Sequence, residues 1–224
     1  MALSRFLKQL RWRKKITASG PLSRLYEQPA WSSRTPFSEL KILAVDCEMT
    51  GLNPKQDALL SIGWVVIQNG FIEYSSGRHV LCHATEDVGE SVTIHGLSDR
   101  QIAGASSVSQ ALSLLMKDLS DSVAVFHHAH LDVEFLQRAA ESSFGCPLSF
   151  QYIDTMAIEK RRLDRQGRAG SLQLGLCRDR YALPHSHAHN ALSDAIATAE
   201  LLIAQITAMD GMKTSYGQLG SRWS

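Results

Sequence analysis

Several features that would mark a membrane protein or a small metal-binding module are missing from this sequence of 224 residues. No apolar run approaches the ~20 residues that a helix needs to cross a bilayer, so no membrane association is expected. The four cysteines are scattered and none forms a C-x-x-C pair, which argues against a zinc knuckle or a redox motif. No internal repeat or low-complexity tract is present. Together with the unpaired cysteines, these absences favour a reduced setting, and we expect a cytoplasmic protein.

Acidic residues are scarce at the N-terminus, and the formal net charge of +1 hides this asymmetry. Residues 1–40 hold eight Lys or Arg residues and two acids, whereas residues 41–224 hold 15 basic and 20 acidic residues. The first segment therefore carries +6 and the remainder −5. An acidic body attracts nucleic acid poorly, so such a substrate would have to be held locally by metal ions and basic patches.

Residues 1–40 are predicted to form a basic extension with a mobile linker. Its first 16 residues have the spacing of a short amphipathic helix, and Pro21, Pro29 and Pro36 then interrupt regular structure. Four roles stay open for this extension: docking a partner protein, contacting nucleic acid, acting as an organelle transit peptide, or remaining a solvated arm. The main domain is expected at 41–210, followed by a short tail at 211–224.

Hydrophobic patterning predicts one α/β domain with a mixed central sheet. The first three strands should be antiparallel neighbours, because Asn69-Gly70 suits a two-residue hairpin turn. Strands are predicted at residues 42–45, 59–67, 71–74, 79–82, 122–127 and 150–154. Helices are predicted from Ser106 or Ser107 to about 119, from about 130 to 140, from 155 onward, from 171 to 181, and from 188 to 208, with a short helical turn at Ser98.

The segment 42–52, with the sequence ILAVDCEMTGL, organises the chain. Four apolar residues predict a buried strand, and Asp46 and Glu48 follow it with one residue between them. Residues i and i+2 of a strand point to the same side, so the two carboxylates should project together. Like charges so close need a cation or a proton, and hard oxygen ligands favour Mg²⁺ or Mn²⁺. An ordinary strand end with two solvated acids is the alternative that this segment alone leaves open.

Three more polar residues are expected to join this pair. Asp132 follows a predicted buried strand, and His189 and Asp194 stand five residues apart at the start of the last helix. Strand ends and helix starts converge at one edge of an α/β sheet, so these groups can meet. Four carboxylates and one histidine suit a pair of Mg²⁺ or Mn²⁺ ions, which in phosphoryl transfer lie about 3.5–4 Å apart.

The order and flanks of these residues resemble the DEDD exonuclease superfamily, in its histidine-containing branch. The run from Ala44 to Leu52 resembles the family's first motif, and residues 189–195, with the pattern H-x-A-L-x-D-A, resemble its third. Residues 94–97 resemble a further block of the DNA polymerase III epsilon-subunit relatives. The resemblance covers roughly residues 42–207 and implies a ribonuclease H-like fold. One departure lies in the second motif, where His128 stands in place of asparagine and Leu131 in place of phenylalanine.

The resemblance implies a 3′–5′ exonuclease that uses two Mg²⁺ or Mn²⁺ ions and releases nucleoside 5′-monophosphates. It assigns the metal ligands to Asp46, Glu48, Asp132 and Asp194, and the general base to His189, whose ordinary pKa of about 6.5 suits that role. It also implies substrate contacts, which fall on Thr50, Gly51, Leu52, His95 and His128.

Other polar groups have simpler interpretations. The alternating residues His185, His187 and His189 seldom close a tetrahedral zinc site, so no zinc is expected. His127, His128 and His130 are predicted to pack or to join polar networks, although His128 also falls in the second motif. Asp154 is predicted to cap a helix or to support the metal ligands rather than to bind a metal itself. The basic run 160–168 is predicted either to guide a phosphate backbone or to remain a solvated loop.

Two further hypotheses stay open beside the DNA exonuclease. Residues 48–52 also resemble oligoribonuclease, which favours a small-RNA exonuclease. An inactive or catalytically weak subunit that tethers a polymerase or another partner is the alternative from another functional class. Separately, residues 1–40 are a candidate segment for docking a partner protein. DNA is the expected substrate and RNA the other possibility.

Overall fold

The computed structural model describes residues 12, 16, 20–28, 30–83, 105–185 and 190–224. Its helices are α1 (Pro21–Glu27), α2 (Val108–Leu119), α3 (Ala129–Phe144), α4 (Thr155–Arg165), α5 (Leu174–Asp179) and α6 (Ala191–Thr207). Its strands are β1 (Ile42–Met49), β2 (Leu59–Gln68), β3 (Phe71–Leu81), β4 (Val123–Phe126), β5 (Gln151–Asp154) and β6 (Arg222–Trp223). Short 3₁₀ turns occupy Phe37–Glu39, Gly211–Lys213 and Tyr216–Leu219.

Within the described residues the strands form a six-stranded mixed sheet in the order β3-β2-β1-β4-β5-β6. The first three strands are antiparallel, β1, β4 and β5 are parallel, and β6 runs antiparallel to β5. The predicted α/β domain with a mixed sheet is therefore confirmed. Because β1, β4 and β5 are parallel, their carboxyl ends lie at one edge of the sheet, where the candidate site is found.

Side chains of β1 alternate between two cores, one on each face of the sheet. Leu43, Val45 and Cys47 pack with residues of α1, α2 and α3. Ile42 and Ala44 face the other way and pack with residues of α4 and α6. Since strand side chains alternate, Asp46 and Glu48 continue the row that faces α6.

Local signals in the sequence place most elements correctly. Ser107 caps α2 and forms a reciprocal capping box with Gln110, as expected for the predicted start of this helix. Asn69 and Gly70 have φ values of 53° and 80°, the left-handed conformation that a tight hairpin turn requires. The turn joins β2 to β3, which is continuous over the two segments that were predicted separately.

Three predicted helix boundaries are wrong. The helix α3 continues to Phe144 instead of ending near residue 140, and Gly145 in a left-handed conformation terminates it. The helix predicted at 171–181 is reduced to α5, because Ser171 and Leu172 use their carbonyl groups to accept hydrogen bonds from Arg180 and to contact His127. The last helix begins at Ala191 rather than residue 188.

The described part of the predicted extension is packed rather than mobile. Leu25 of α1 is 1% exposed, and the Tyr26 hydroxyl donates to the Pro147 carbonyl at 2.6 Å. Gln28 donates to the Ser122 carbonyl at 2.7 Å. The predicted C-terminal tail is packed as well, because it buries Tyr216 and supplies β6. The domain boundaries at residues 40 and 210 stay predictions. Hydrophobic residues before and after each boundary nevertheless pack in the same core, as Phe37 does with Ile42 and Tyr216 with Ile206.

Among the described helices, none has the length and apolar character needed to cross a membrane.

Candidate metal and nucleic-acid site

Two carboxylates project from the end of β1, as their spacing predicts. Asp46 and Glu48 are both half-buried, and they lie where β1 still pairs with β2. The parallel pairing of β1 with β4 ends earlier, at Ala44. The last residues of β1 therefore line an open edge of the sheet and have room to hold a ligand.

Helix α6 brings a third carboxylate to this pair. Its cap is Asn190, whose side-chain oxygen accepts hydrogen bonds from the backbone N–H groups of Leu192 and Ser193 at 3.1 and 3.3 Å. Asp194 lies in the first turn, where the helix dipole favours a negative charge. One oxygen from each of Asp46, Glu48 and Asp194 lies within 4.8 Å of the others.

The close approach of α6 to the sheet depends on Gly63, the cross-strand partner of Asp46. A Cβ atom at this position would lie 2.1 Å from the carbonyl carbon of Ala191 and 2.2 Å from the backbone nitrogen of Leu192. A glycine in a strand interior often marks such a contact between backbones. Gly63 therefore lets the first turn of α6 lie directly on β2, and this brings Asp194 next to Asp46.

Asp132 reaches the same edge from the opposite face of the sheet. It lies in the first turn of α3, is buried, and accepts a hydrogen bond from the Cys47 backbone N–H at 3.0 Å. Burial raises its pKa, and the hydrogen bond from Cys47 partly opposes that shift. The structure thus places Asp132 beside the other three carboxylates but outside their group of mutually close oxygens.

The electrostatics of this edge favour a cation. Burial raises the pKa of Asp46 well above its ordinary value, and the negative charges of Asp132, Asp194 and Glu48 raise it further. A divalent ion would relieve this repulsion, and carboxylate oxygens are the ligands that Mg²⁺ and Mn²⁺ prefer. The residues present therefore fit a divalent metal site.

The loop after β1 is closed by Asp57, which the sequence did not single out. Its carboxylate accepts hydrogen bonds from the Thr50 hydroxyl at 3.2 Å and the Asn53 backbone N–H at 2.8 Å. A Cβ on Gly51 would lie 2.5 Å from the same carboxylate, so a larger residue there would displace the Asp57 side chain from these hydrogen bonds. The loop holds Leu52, whose side chain is 79% exposed.

The histidines of the second motif have different surroundings. His127 is held by both ring nitrogens, 2.8 Å from the Thr155 hydroxyl and 2.8 Å from the Leu172 carbonyl, and burial lowers its pKa. The prediction of a polar-network histidine is confirmed. His128 has a φ of 70°, and its backbone N–H donates to Asp154 at 3.1 Å.

Asp154 caps α4, as predicted, because its carboxylate also accepts from the Met156 backbone N–H at 3.0 Å. Two other predicted site residues, His95 and His189, lie outside the described residues, as do the block 94–97 and the helical turn predicted at Ser98. Their roles stay predictions.

Comparisons with known proteins agree with this architecture. The DNA polymerase III PolC-type protein of Thermotoga maritima is 29% identical over 181 residues, which are 80% of this chain but 13% of that protein. The DNA polymerase III subunit epsilon of Rickettsia typhi is 27% identical over 178 residues, and these make up 75% of each chain. The chain thus spans only about an eighth of the length of the PolC-type relatives.

Solved structures share the fold. Cell-death related nuclease 4 aligns with a TM-score of 0.63 at 20% identity, covering 81% of this chain and 67% of that one. E. coli Exonuclease I in complex with a dT13 oligonucleotide aligns with a TM-score of 0.59 at 15% identity, covering 76% and 41%. The expected ribonuclease H-like exonuclease fold is confirmed.

A family model, RNase_T, described as Exonuclease, matches residues 43–202. This segment is more than half of the chain, and it contains Asp46, Glu48, Asp132 and Asp194. From this match, the shared fold and the acidic edge of the sheet, we conclude that the chain belongs to the RNase_T family of exonucleases.

Proposed function

We propose that this protein is a metal-dependent 3′–5′ exonuclease that removes nucleoside 5′-monophosphates from the end of single-stranded DNA. The observation that carries the proposal is the group formed by Asp46, Glu48 and Asp194, whose oxygens lie within 4.8 Å of one another. This group stands inside the segment that matches the exonuclease family. The polymerase III relatives support DNA as the substrate, and the family resemblance supplies the 3′–5′ polarity.

In this proposal, Asp46, Glu48 and Asp194 hold two Mg²⁺ or Mn²⁺ ions, and Asp132 contributes directly or through a water molecule. Such ions make a water molecule easier to deprotonate and neutralise the charge that develops on the phosphate. The raised pKa of Asp46, caused first by burial and then by its acidic neighbours, supports cation binding. The hydrogen bond from Cys47 fixes the orientation of Asp132 toward β1.

His189 is the proposed general base. An imidazole with an ordinary pKa of about 6.5 can accept a proton from the attacking water at neutral pH. In the sequence, His189 directly precedes Asn190, which caps the helix that carries Asp194.

The loop after β1 is proposed to position the terminal nucleotide. Asp57 fixes the loop through Thr50 and Asn53, so that Leu52 is presented in one conformation at low entropic cost. The backbone at Thr50 and Gly51, with His95 and His128, completes the proposed substrate contacts. Docking of a partner protein through residues 1–40 stays a separate prediction.

The test is a digestion panel with single-stranded DNA, duplex DNA and short RNA, each labelled at the 5′ end or the 3′ end. The wild-type protein should shorten 5′-labelled single-stranded DNA one nucleotide at a time when Mg²⁺ or Mn²⁺ is present. A 3′ label should leave at once as a mononucleotide. Asp46→Ala should stop cleavage and retain the circular dichroism spectrum of the folded protein.

Asp121→Asn is the matched control. Asp121 pairs with Lys41 at 2.9 Å, and both residues lie just before a strand begins, at the opposite edge of the sheet. It should keep wild-type activity. An Asp46→Ala protein that degraded every substrate at the normal rate would refute the assignment. Cleavage of short RNA alone would favour the oligoribonuclease-like alternative, and no cleavage by the wild type would favour a binding subunit.

A further inference from the structure

A cluster of arginines on α4 and β6 is not used by the acidic site. Arg165 and Arg222 are exposed, and in the described part of the chain no carboxylate lies within ion-pair distance of either. Their neighbour Lys160, by contrast, is paired with Asp164 at 2.9 Å. The positive charge of the two arginines is therefore available to a ligand.

Arg161 joins these two residues into one surface. Its guanidinium donates a hydrogen bond to the Leu219 carbonyl at 2.9 Å, and a Cβ at Gly220 would lie 2.6 Å from its Nη1 atom. The guanidinium therefore lies against the turn that leads into β6. Arg165 follows one helical turn later on the same face, and Arg222 lies two residues beyond Gly220.

Arg165 and Arg222 both lie close enough to the Arg161 guanidinium to affect it. The pKa of Arg161 is lowered first by burial and then by the positive charges of Arg165 and Arg222. Crowded like charges disfavour the charged state, and a polyanion bound across them would relieve this repulsion. The surface is therefore suited to an anionic ligand with several charges.

The distance from the arginine cluster to the candidate site can be estimated from the elements that carry them. Helix α4 begins next to Asp154, at the same edge of the sheet as the acidic group. With a rise of 1.5 Å per residue, Arg161 and Arg165 lie roughly 10 and 16 Å along the helix from that edge. Strand β5 is two strands from β1, which is about 10 Å. An extended strand of a few nucleotides can span this distance.

We propose that Arg161, Arg165 and Arg222 form a second phosphate-binding surface, which holds the backbone of the DNA strand upstream of the nucleotide being removed. This inference rests on the proposed exonuclease function and adds a substrate-binding region to it. Guanidinium groups bind phosphate oxygens through paired hydrogen bonds, and such contacts do not depend on base sequence.

The test compares substrates with and without upstream phosphates. A long single-stranded oligodeoxynucleotide has them, whereas the p-nitrophenyl ester of thymidine 5′-monophosphate does not. Replacing Arg165 and Arg222 together by alanine should raise KM for the oligonucleotide on the order of ten-fold and leave kcat unchanged. The slope of log KM against log salt should fall by about 0.7 for each phosphate that the variant no longer binds. Hydrolysis of the ester should not change.

Arg138→Ala is the matched control, because Arg138 is an exposed arginine on α3, on the other face of the sheet. It removes one positive charge, half of what the double variant removes, and should leave KM and its salt dependence unchanged. Equal KM values for the oligonucleotide in the wild type and the double variant would overturn the proposal. An equal rise in KM for the ester would also overturn it, because the effect would then lie at the reaction site. A wild-type protein that hydrolysed neither substrate would overturn the proposed function and this surface together.

Discussion

The negative charge of Glu159 and the negative charges at the acidic edge of the sheet have opposite surroundings. Glu159 of α4 is fully buried, and Arg162 donates to it at 2.6 Å and Tyr181 at 2.9 Å. Burial alone would raise its pKa, but hydrogen bonds from Arg162, Tyr181 and Gln205 outweigh burial and lower the pKa. These contacts connect α4 with α6 and with the residues after α5, so this carboxylate stabilises the packing of the helices.

At the acidic edge of the sheet, both burial and neighbouring charges act in the same direction. The pKa of Asp46 is raised by burial and then by Asp132, Asp194 and Glu48. A buried carboxylate that is paired with the protein's own cations serves the structure. A cluster of carboxylates at an open edge of the sheet, with raised pKa values, indicates a site for an added cation. Variants at the two places should therefore separate stability from activity.

The largest effect is expected for Asp46→Asn. Loss of this carboxylate should lower exonuclease activity on the order of a thousand-fold, because an ion at this edge would lose a charged ligand. The same change removes one of the mutually repelling charges, so Tm measured without divalent ions should stay equal or rise. Activity assays and thermal unfolding in EDTA give the two values.

A large fall in Tm for Asp46→Asn would contradict this comparison, because it would mean that Asp46 stabilises the fold as Glu159 does. The conservative change to asparagine keeps the shape of the side chain, so a packing defect does not confuse the result.

Gly63→Ala should produce the next largest effect, although it changes no ligand. The added Cβ would meet the Ala191 carbonyl carbon at 2.1 Å, so the first turn of α6 must move away from β2 and take Asp194 with it. A displacement of about 1 Å at a reacting centre can cost on the order of a hundred-fold in rate. We expect this loss together with a higher Mg²⁺ concentration for half-maximal activity.

Val65→Ala is the control for Gly63→Ala. Val65 lies two residues further along the same strand and is buried in the core that contains residues of α6, but its partner on β1 is Ala44 rather than Asp46. It should lower stability through a cavity and leave the Mg²⁺ dependence unchanged. The same Mg²⁺ dependence in both variants would show that Gly63 does not set the position of Asp194.

Glu159→Gln tests whether the carboxylate that is paired with the protein's own cations stabilises the fold. Removing its charge leaves the partly buried Arg162 and Arg180 without their counter-ion, which should cost about 3 kcal/mol of unfolding free energy. For a chain of this size, that loss lowers Tm by roughly 10 °C. The Mg²⁺ concentration for half-maximal activity, measured well below Tm, should remain that of the wild type.

The contrast between local and tertiary signals explains which features the sequence predicted. The pairing of Asp46 with Glu48 follows from strand alternation, and the order of the motifs added Asp194 and Asp132. That Asp132 approaches from the opposite face depends on the layer in which α3 packs, which no local pattern encodes. The need for Gly63 shows only once α6 lies on β2, although a glycine within a strand was the available signal.

The remaining misses have the same cause. The two-residue strand β6 is too short to give any periodicity, and its pairing with Gln151 and Tyr152 exists only in the folded chain. The prolines before residue 40 predicted a mobile linker. In the structure, however, Leu25 is buried in the core on one face of the sheet and Phe37 in the core on the other. Short segments are positioned by the surfaces that they cover, and those surfaces form only on folding.

The smallest effect is a dependence of stability on pH and metal. Because the pKa of Asp46 is raised above its ordinary value of 3.8, the folded protein binds protons more tightly than the unfolded chain. This contribution is complete below the unfolded pKa and is lost as the pH rises toward and through the raised pKa of the folded state. In EDTA, Tm should therefore fall by a few degrees, roughly, between pH 5 and pH 8.

Saturating Mg²⁺ should remove most of that fall, because an ion bound to the carboxylates stabilises the state in which they are charged. Asp46→Asn provides the reference, since it lacks the titrating group and should show a weaker pH dependence in EDTA. If the wild type and this variant lost Tm in parallel as the pH rose, the buried charge of Asp46 would not limit stability, and the contrast with Glu159 would lose its energetic basis.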